Sequence, residues 1–298
     1  MFKPMLAPRE SPSTCEEYWS YIEYPILASP KLDGIRAVVK EGKAMSRTFK
    51  SLPSRQVQDE TCDFEDIDFE CIEGYPTDFG VFNRTQSYVM SENKIGDMSY
   101  HLFDFTHPTL LNAPFSERYE ALTELHASMP NRFKLVQQVV IQDYEQLLKY
   151  EEHTLAQGYE GLILKNPYGP YKHGRGTMKQ ALIFKLKRFE DAEGVVVGFE
   201  EQFTNTNVQE KDELGYAKRS SSKAGKLAAN TLGKFIVSFN ELIIKVNPGV
   251  FTHLERQNIW NNQSQFEGSM LKFKYFAHGV KEMPRFANAL GFRNRKDM

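Results

Sequence analysis

Cysteine, net charge and long apolar stretches are all scarce in this sequence, and each scarcity excludes a class of protein. The three cysteines, Cys15, Cys62 and Cys71, are odd in number and have no metal-ligand spacing. They read as free thiols in a reducing compartment, not as a disulfide framework or a zinc module. His153, His173 and the other histidines show neither catalytic pairing nor metal spacing. No apolar run approaches the roughly 18 residues of a membrane span. The start Met1-Phe2-Lys3-Pro4 lacks a signal-peptide pattern. The expectation is a soluble protein of the cytoplasm or host-cell interior, with no membrane partner.

The formal net charge is only −2, which looks unsuited to a nucleic-acid binder. That average conceals an asymmetry. Residues 1–190 carry 22 Lys/Arg against 27 Asp/Glu, and residues 191–298 carry 15 against 12. Local patches therefore decide, not the total. With 298 residues, 41% hydrophobic and 26% charged, the chain has ordinary globular composition and enough length for one large or two modest domains.

Residues 1–190 alternate strand and helix patterns, an α+β domain. Ser13 to Tyr21 reads as a helix with Ser13 and Glu16 in capping-box spacing, ended by Pro25. Strands are expected at 26–29 and 35–39, with Glu41-Gly42 as the turn before 44–48. Further strands are expected at 69–73, 100–105, 136–141, 160–165 and 182–187, and helices at 79–90, 116–129 and 143–157. Gly158 stops the last helix. Residues 191–298 change to short strands, at 193–199, 233–239, 241–246 and 270–275, with one helix near 251–260. That pattern suits a small five-stranded barrel, without fixing which kind.

The chemistry starts at Ser29-Pro30-Lys31-Leu32-Asp33-Gly34-Ile35-Arg36. A lysine at the rim of a sheet is costly unless it has a task, and its amine becomes a nucleophile once desolvation or nearby cations lower its pKa. A solvent-facing hairpin turn is the bland alternative. Downstream follow Ser46-Arg47-Thr48-Phe49-Lys50, Phe69-Glu70-Cys71-Ile72-Glu73-Gly74, Leu102-Phe103-Asp104, Tyr159-Glu160-Gly161-Leu162-Ile163-Leu164-Lys165 and Phe184-Lys185-Leu186-Lys187. Lys185 and Lys187 alternate on one strand, so they share a face, with Phe184 and Leu186 on the other. Two adjacent lysines repel each other, which a polyphosphate would explain better than stability does.

These six elements, in this order, resemble the lysine-adenylating superfamily of ATP-dependent DNA ligases, RNA ligases and capping enzymes. Within it the whole chain is most similar to the minimal viral and phage DNA ligases of the Chlorella virus type. The resemblance implies a nucleotidyltransferase domain over 1–190 and an OB-fold domain over 191–298. It implies that Lys31 attacks the α-phosphate of ATP, forming lysyl-AMP, with Arg36, Lys185, Lys187 and Mg²⁺ holding its pKa down. Glu70 would bind ribose, although Asp68-Phe69-Glu70 departs from the usual D-G-E and Glu73 is a rival. Phe103 would stack on adenine. Glu160 would hold Mg²⁺, unless it simply pairs with a lysine. Arg175, in the loop 171–177, would meet the nucleotide or a substrate phosphate, and Arg47 and Lys50 the 5′-phosphate strand at a nick.

Residues 202–230 form an insertion in the second domain. Between 214 and 230 it has four cations, Lys218, Arg219, Lys223 and Lys226, and no acid. Composition alone permits a disordered linker. The resemblance implies a latch-like hairpin that orders on nicked duplex DNA, letting a monomer close as a clamp. Pro284-Arg285-Phe286 and Arg293-Asn294-Arg295-Lys296-Asp297 are similar to the family's last motif, without its usual residue order. The expected activity is ATP-dependent sealing of nicks in DNA replication, repair or recombination. RNA ligation, GTP-dependent capping and a catalytically silent OB-fold binding module are the alternatives.

Overall fold

Strand alternation in the first half of the chain sends every second side chain to a core and the others to a shared polar gap. The computed structural model describes residues 2–10, 12, 15, 17–276 and 284–293. The chain divides into two compact units, Met1–Arg188 and Phe189–Met298.

The first unit holds β1 (Ile26–Pro30), β2 (Ile35–Lys40), β3 (Lys43–Ser46), α1 (Arg55–Thr61), β4 (Ile67–Glu73), α2 (Val81–Val89) and β5 (Met98–Phe105). It continues with α3 (Phe115–His126), β6 (Phe133–Leu135), β7 (Val139–Ile141), α4 (Tyr144–Ala156), β8 (Leu162–Lys165) and β9 (Ile183–Leu186). Two sheets result, with strand orders β7-β1-β8-β9 and β3-β2-β4-β5-β6. Ala37, Val39, Phe69, Cys71, Tyr100 and Leu102 build the core of the five-stranded sheet. Ile26, Ala28, Leu162, Leu164, Phe184 and Leu186 build that of the other. The intervening positions Arg36, Glu70, Phe103, Ser29, Ile163 and Lys185 face a cavity lined from both sheets.

Local chemistry accounts for the turns and caps. Glu41 and Gly42 both have positive φ, the two-residue turn that matches strand twist, and both amides donate to the Glu65 carboxylate. Ser54 caps α1 through Val57 N, and Asp143 caps α4 through Gln146 N. Gly158 follows α4 at φ 90°.

Three local expectations change. The single strand expected over 136–141 is replaced by two: β6, ending at Leu135, pairs parallel with β5, and β7 pairs with β1 in the other sheet. The chain crosses between sheets here, which a short apolar run cannot signal. A 3₁₀ turn occupies Tyr18–Tyr21, while Ser13 and Glu16, the expected capping pair, lie outside the described residues. Helix α1 was not anticipated.

The second unit holds β10 (Glu190–Asn205), β11 (Gln209–Lys211), β12 (Ala217–Arg219), β13 (Lys226–Phe239), β14 (Leu242–Val246), α5 (His253–Asn261), α6 (Gln263–Phe266), β15 (Met270–Phe276) and β16 (Arg285–Phe292). Five strands pair in the order β14-β13-β10-β15-β16. The edges meet through Asn247, whose amide donates to Ala287 O and whose carbonyl accepts from Ala289 N, both at 2.9 Å. Phe235, Val237, Ile244, Leu271, Phe273 and Ala289 fill the interior. This is a small closed barrel of the OB kind.

The insertion is a β-ribbon rather than a linker. Strands β10 and β13 pair as far out as Asn205 opposite Lys226, and β11–β12 form a hairpin at the tip. Asparagine side chains tie it together: Asn205 Nδ2 donates to Ser220 O at 2.8 Å, and Asn207 Nδ2 to Ser220 O and Ser222 O at 3.0 Å. Lys218, Arg219, Lys223 and Lys226 are all exposed on it.

Candidate active site

Lys31 stands where the two sheets of the first unit come together. Its amide donates to Gly161 O at 2.8 Å, anchoring the loop after β1 to the residue before β8. Two glycines permit the approach. A Cβ on Gly34 would lie 2.2 Å from Cys71 O, and one on Gly161 2.2 Å from Leu186 O. Gly34 is thus required by close approach to β4, not by its turn conformation.

The half-buried ammonium of Lys31 pairs with Glu160 Oε2, while Lys187 takes Glu160 Oε1. Glu160 is only 5% exposed. Burial by itself would lower the Lys31 pKa, but Glu160 outweighs it and holds the pKa above the ordinary lysine value. This corrects the expectation that nearby cations depress it. Burial likewise works against ionising Glu160, and the two lysines outweigh it, so its pKa is lowered.

Arg36 projects from β2 and meets Asp68 on β4 through two bonds, Nε–Oδ1 at 2.8 Å and Nη2–Oδ2 at 2.6 Å. The Tyr171 hydroxyl donates to Asp68 Oδ2 at 3.0 Å. Glu70 lies opposite Arg36 in the strand register. Burial pushes its pKa up to about 7, against the opposing pull of Lys31 and Arg36.

Phe103 owes its position to an irregularity in β5. Asp68 pairs with Asp104, but Phe69 pairs with Leu102, so Phe103 is an extra residue in the ladder. Consecutive Phe103 and Asp104 therefore both line the cavity. The Phe103 ring is flanked by two cations, Arg36 at 5.2 Å and Lys165 at 5.3 Å. Behind it, Asp104 accepts from Lys165 Nζ at 2.9 Å and from Arg118 Nε at 2.9 Å. Burial opposes the Asp104 charge, yet Lys165 and Arg118 hold its pKa below the usual range.

The cavity measures about 470 Å³, a size that accommodates a nucleotide. Lys31, Arg36, Glu70, Phe103, Lys185, Arg175 and Arg47 all line it. Neither Lys187 nor Glu160 lines it; the two pair with each other, and Glu160 reaches the cavity only through Lys31. Arg175 is exposed, and its Nη1 donates to Ala7 O at 2.7 Å. Burial and then Arg175 hold the Lys185 pKa below the usual lysine value. Lys50 lies just beyond β3, its amide donating to Ser46 Oγ at 3.1 Å. Among the described residues no cluster of three or more metal-ligating side chains is present. Nor is any described helix long and apolar enough to cross a membrane.

A cavity of this composition at the junction of two sheets, with a separate small barrel, has recognised counterparts. The sequence pattern described as "ATP dependent DNA ligase domain" matches residues 4–187. The chain belongs to the ATP-dependent DNA ligase family. Chlorella virus DNA ligase-adenylate is 28% identical with a TM-score of 0.55, covering 98% of this chain and 100% of that one. A Lig E DNA ligase shares the fold at a TM-score of 0.73 and 23% identity, over 98% of this chain and 100% of that one. The DNA ligase of African swine fever virus (isolate Pig/Kenya/KEN-50/1950) is 27% identical over 105 residues, which are 35% of this chain and 25% of that protein. The chain thus matches only about a quarter of the length of its curated viral relatives.

Within this ligase-family chain, sequence reasoning missed Asp68, Tyr171, Asp104, Arg118, Met5 and Arg9 as parts of the site. Asp68 carried a signal, being an acid at 0% exposure between Ile67 and Phe69 in an apolar strand. Arg118, buried within α3, carried none that its helix pattern could separate from a surface residue. Of the C-terminal residues compared with the family's last motif, Asn294 to Asp297 lie outside the described residues.

Proposed function

We propose that this protein is an ATP-dependent DNA ligase that seals 3′-OH/5′-phosphate nicks in duplex DNA through lysyl-AMP. The observation that supports this most is the amine of Lys31, held by Glu160 at a nucleotide-sized cavity with an aromatic ring and several cations. In the first step Lys31 Nζ, having lost a proton, attacks the α-phosphorus of ATP. A P–N bond forms, the bond to the bridging oxygen breaks, and pyrophosphate leaves. A 5′-phosphate oxygen at the nick then displaces Lys31 from the adenylate. Finally the 3′-hydroxyl attacks that 5′-phosphate and AMP departs.

The residues divide the work by chemistry. Phe103 offers a ring face to adenine, and Glu70 a carboxylate to the ribose hydroxyls. Lys185, Arg36 and Arg175 offer charge to the phosphates, Arg36 from a guanidinium whose Nε and Nη2 are held by Asp68. The proton leaves Lys31 once the Glu160 contact loosens, because burial itself favours the free amine. Glu160, whose two carboxylate oxygens each accept from a lysine ammonium, would hold Mg²⁺ once one of those contacts opens; this ion takes one or two carboxylates with phosphate oxygens and water. Bound there, it would neutralise charge on the transferring phosphate.

Arg47 and Lys50 would hold the 5′-phosphate strand. The exposed cations of the ribbon, Lys218, Arg219, Lys223 and Lys226, would contact the duplex backbone as a monomer closes around it, with salt-sensitive affinity. Incubation with α-labelled ATP, and separately GTP, tests the first step, and nicked DNA against nicked RNA tests the last. A covalent label from ATP alone and sealing of nicked DNA are expected. Labelling by GTP in place of ATP, or joining of RNA only, would sink the proposal.

A further inference from the structure

Three cations of the cavity wall share an unusual set of acceptors. The carbonyls of Met5, Ala7 and Arg9 accept from Arg36 Nη1 at 2.6 Å, Arg175 Nη1 at 2.7 Å and Lys185 Nζ at 3.1 Å. Carbonyls two residues apart lie along one edge of an extended chain. The backbone of this short segment therefore spaces three charges that come from β2, a loop and β9.

The segment is itself fixed. Met5 N donates to the Tyr171 hydroxyl at 2.9 Å, Leu6 N to Gly174 O at 2.9 Å, and Gly176 N to Leu6 O at 2.8 Å. The Phe2 ring lies 5.7 Å from that of Tyr171 and 5.4 Å from that of His173. Arg9 closes the row, lining the cavity with Lys185, Arg175 and Arg47. Among the described residues no carboxylate is paired with its guanidinium.

Four cations around one opening, with Glu10 the acid acting on Lys185, repel each other in the free protein, an arrangement that a polyanion relieves. Phe103 and Glu70 are half-buried, whereas Arg9 is exposed. That gradient suits a ligand whose base and sugar are enclosed and whose terminal phosphates reach solvent, where the displaced pyrophosphate must leave. We infer that Arg9 contacts the terminal phosphates of ATP, helping to orient the leaving group during adenylation of Lys31. This role rests on the adenylation reading above. A planar guanidinium held by its own backbone beside Lys185 suits the bidentate grip of a phosphate.

The test compares α,β-methylene-ATP, which keeps all three phosphates, with AMP, which has only the first. Both are titrated calorimetrically against the unmodified protein, Arg9→Ala and Arg9→Lys. Losing one charge-assisted contact should weaken α,β-methylene-ATP about tenfold in Arg9→Ala while AMP stays within about twofold. Arg9→Lys should recover part of the loss, and sealing of a pre-adenylated nick should be unchanged in all three proteins. Equal weakening of both nucleotides, or none, overturns the inference, as does a defect on the pre-adenylated nick. If α-labelled ATP fails to label the unmodified protein, the adenylation reading falls and takes Arg9 with it. Labelling intact with unchanged α,β-methylene-ATP binding removes the Arg9 role alone.

Discussion

Glu160 grips Lys31 with one carboxylate oxygen and Lys187 with the other. The nucleophile of the proposed reaction is thus stored as an ammonium ion, paired to a buried acid that a second lysine keeps ionised. A carboxylate opening an apolar stretch would ordinarily contribute little to stability. With two ammonium groups, 26% and 13% exposed, depending on it, this one is structural as well.

Lys31→Ala is expected to abolish covalent AMP attachment and the sealing of ordinary nicks, yet still to seal a nick carrying a pre-adenylated 5′ end. The last step does not use the lysine as nucleophile. Electrophoresis of protein incubated with α-labelled ATP checks this, and persistent labelling of the variant would refute it.

Replacing Glu160 should damage fold and reaction to different degrees. Glu160→Ala removes the buried carboxylate that two largely buried ammonium groups share and should cost about 2–4 kcal/mol in urea unfolding. Glu160→Gln keeps volume and an acceptor oxygen, so it should unfold closer to the unmodified protein while adenylating orders of magnitude more slowly. Unchanged activity per folded molecule in both variants would mean that the carboxylate serves the fold alone.

Glu70 should make stability depend on pH. Its folded pKa of about 7 lies above its ordinary value of 4.5. The folded state therefore holds a proton that the unfolded state releases between those values, and stability should fall as pH rises from about 4.5 to 7, then level off. Glu70→Gln, which cannot ionise, should flatten that fall. Chemical denaturation at successive pH values measures the slope; an unchanged slope in the variant would assign the dependence elsewhere.

Asp104 is the acid shared by Arg118 and Lys165, with all three side chains nearly inaccessible. Asp104→Ala should destabilise the first unit by roughly 3–5 kcal/mol, since it strands two buried cations. Two transitions are expected in thermal unfolding, with only that of the first unit shifted. A variant as stable as the parent would show that water replaces the lost carboxylate.

Deleting residues 206–224 and closing the ribbon with a short turn should leave Lys31 adenylation near normal while weakening nick binding. The deletion removes Lys211, Lys218, Arg219 and Lys223. The slope of log affinity against log salt should therefore fall by up to about 3 to 4. Identical salt slopes for the two proteins would exclude the ribbon as a phosphate contact.

Much of the site was legible because alternation is strict where the sheets are regular. Arg36, Glu70 and Lys185 each sit between residues of an apolar core, so a period of two assigns them to the cavity side. Legibility ended where the backbone departs from that period. The extra residue at Phe103 turns Asp104 inward, and no pattern in Leu102-Phe103-Asp104-Phe105 announces it. The direction of the Lys31 shift was also beyond reach, since it depends on Glu160, 129 residues away. Met5, Ala7 and Arg9 act through backbone carbonyls, which every sequence has. Strand β16 escaped because Arg285–Phe292 mixes small and polar residues, and the barrel supplies its partners from a distance.

Strands β10 and β13 run unbroken from the barrel wall into the ribbon, and the three register shifts between them fall at Val196/Gly198, Glu200/Glu201 and Glu201/Phe203. Beyond the last shift the ladder is regular from Phe203 to Asn205. Mechanically the arrangement is an arm on a sprung shoulder. A sideways load on the tip bends the chain where the ladder is already interrupted, sparing both the barrel's hydrogen bonds and those of the arm. A pull along the arm is instead carried by two covalent strands anchored side by side in the barrel wall. Such a part yields easily to a surface pressing from the side and resists being drawn off it lengthwise.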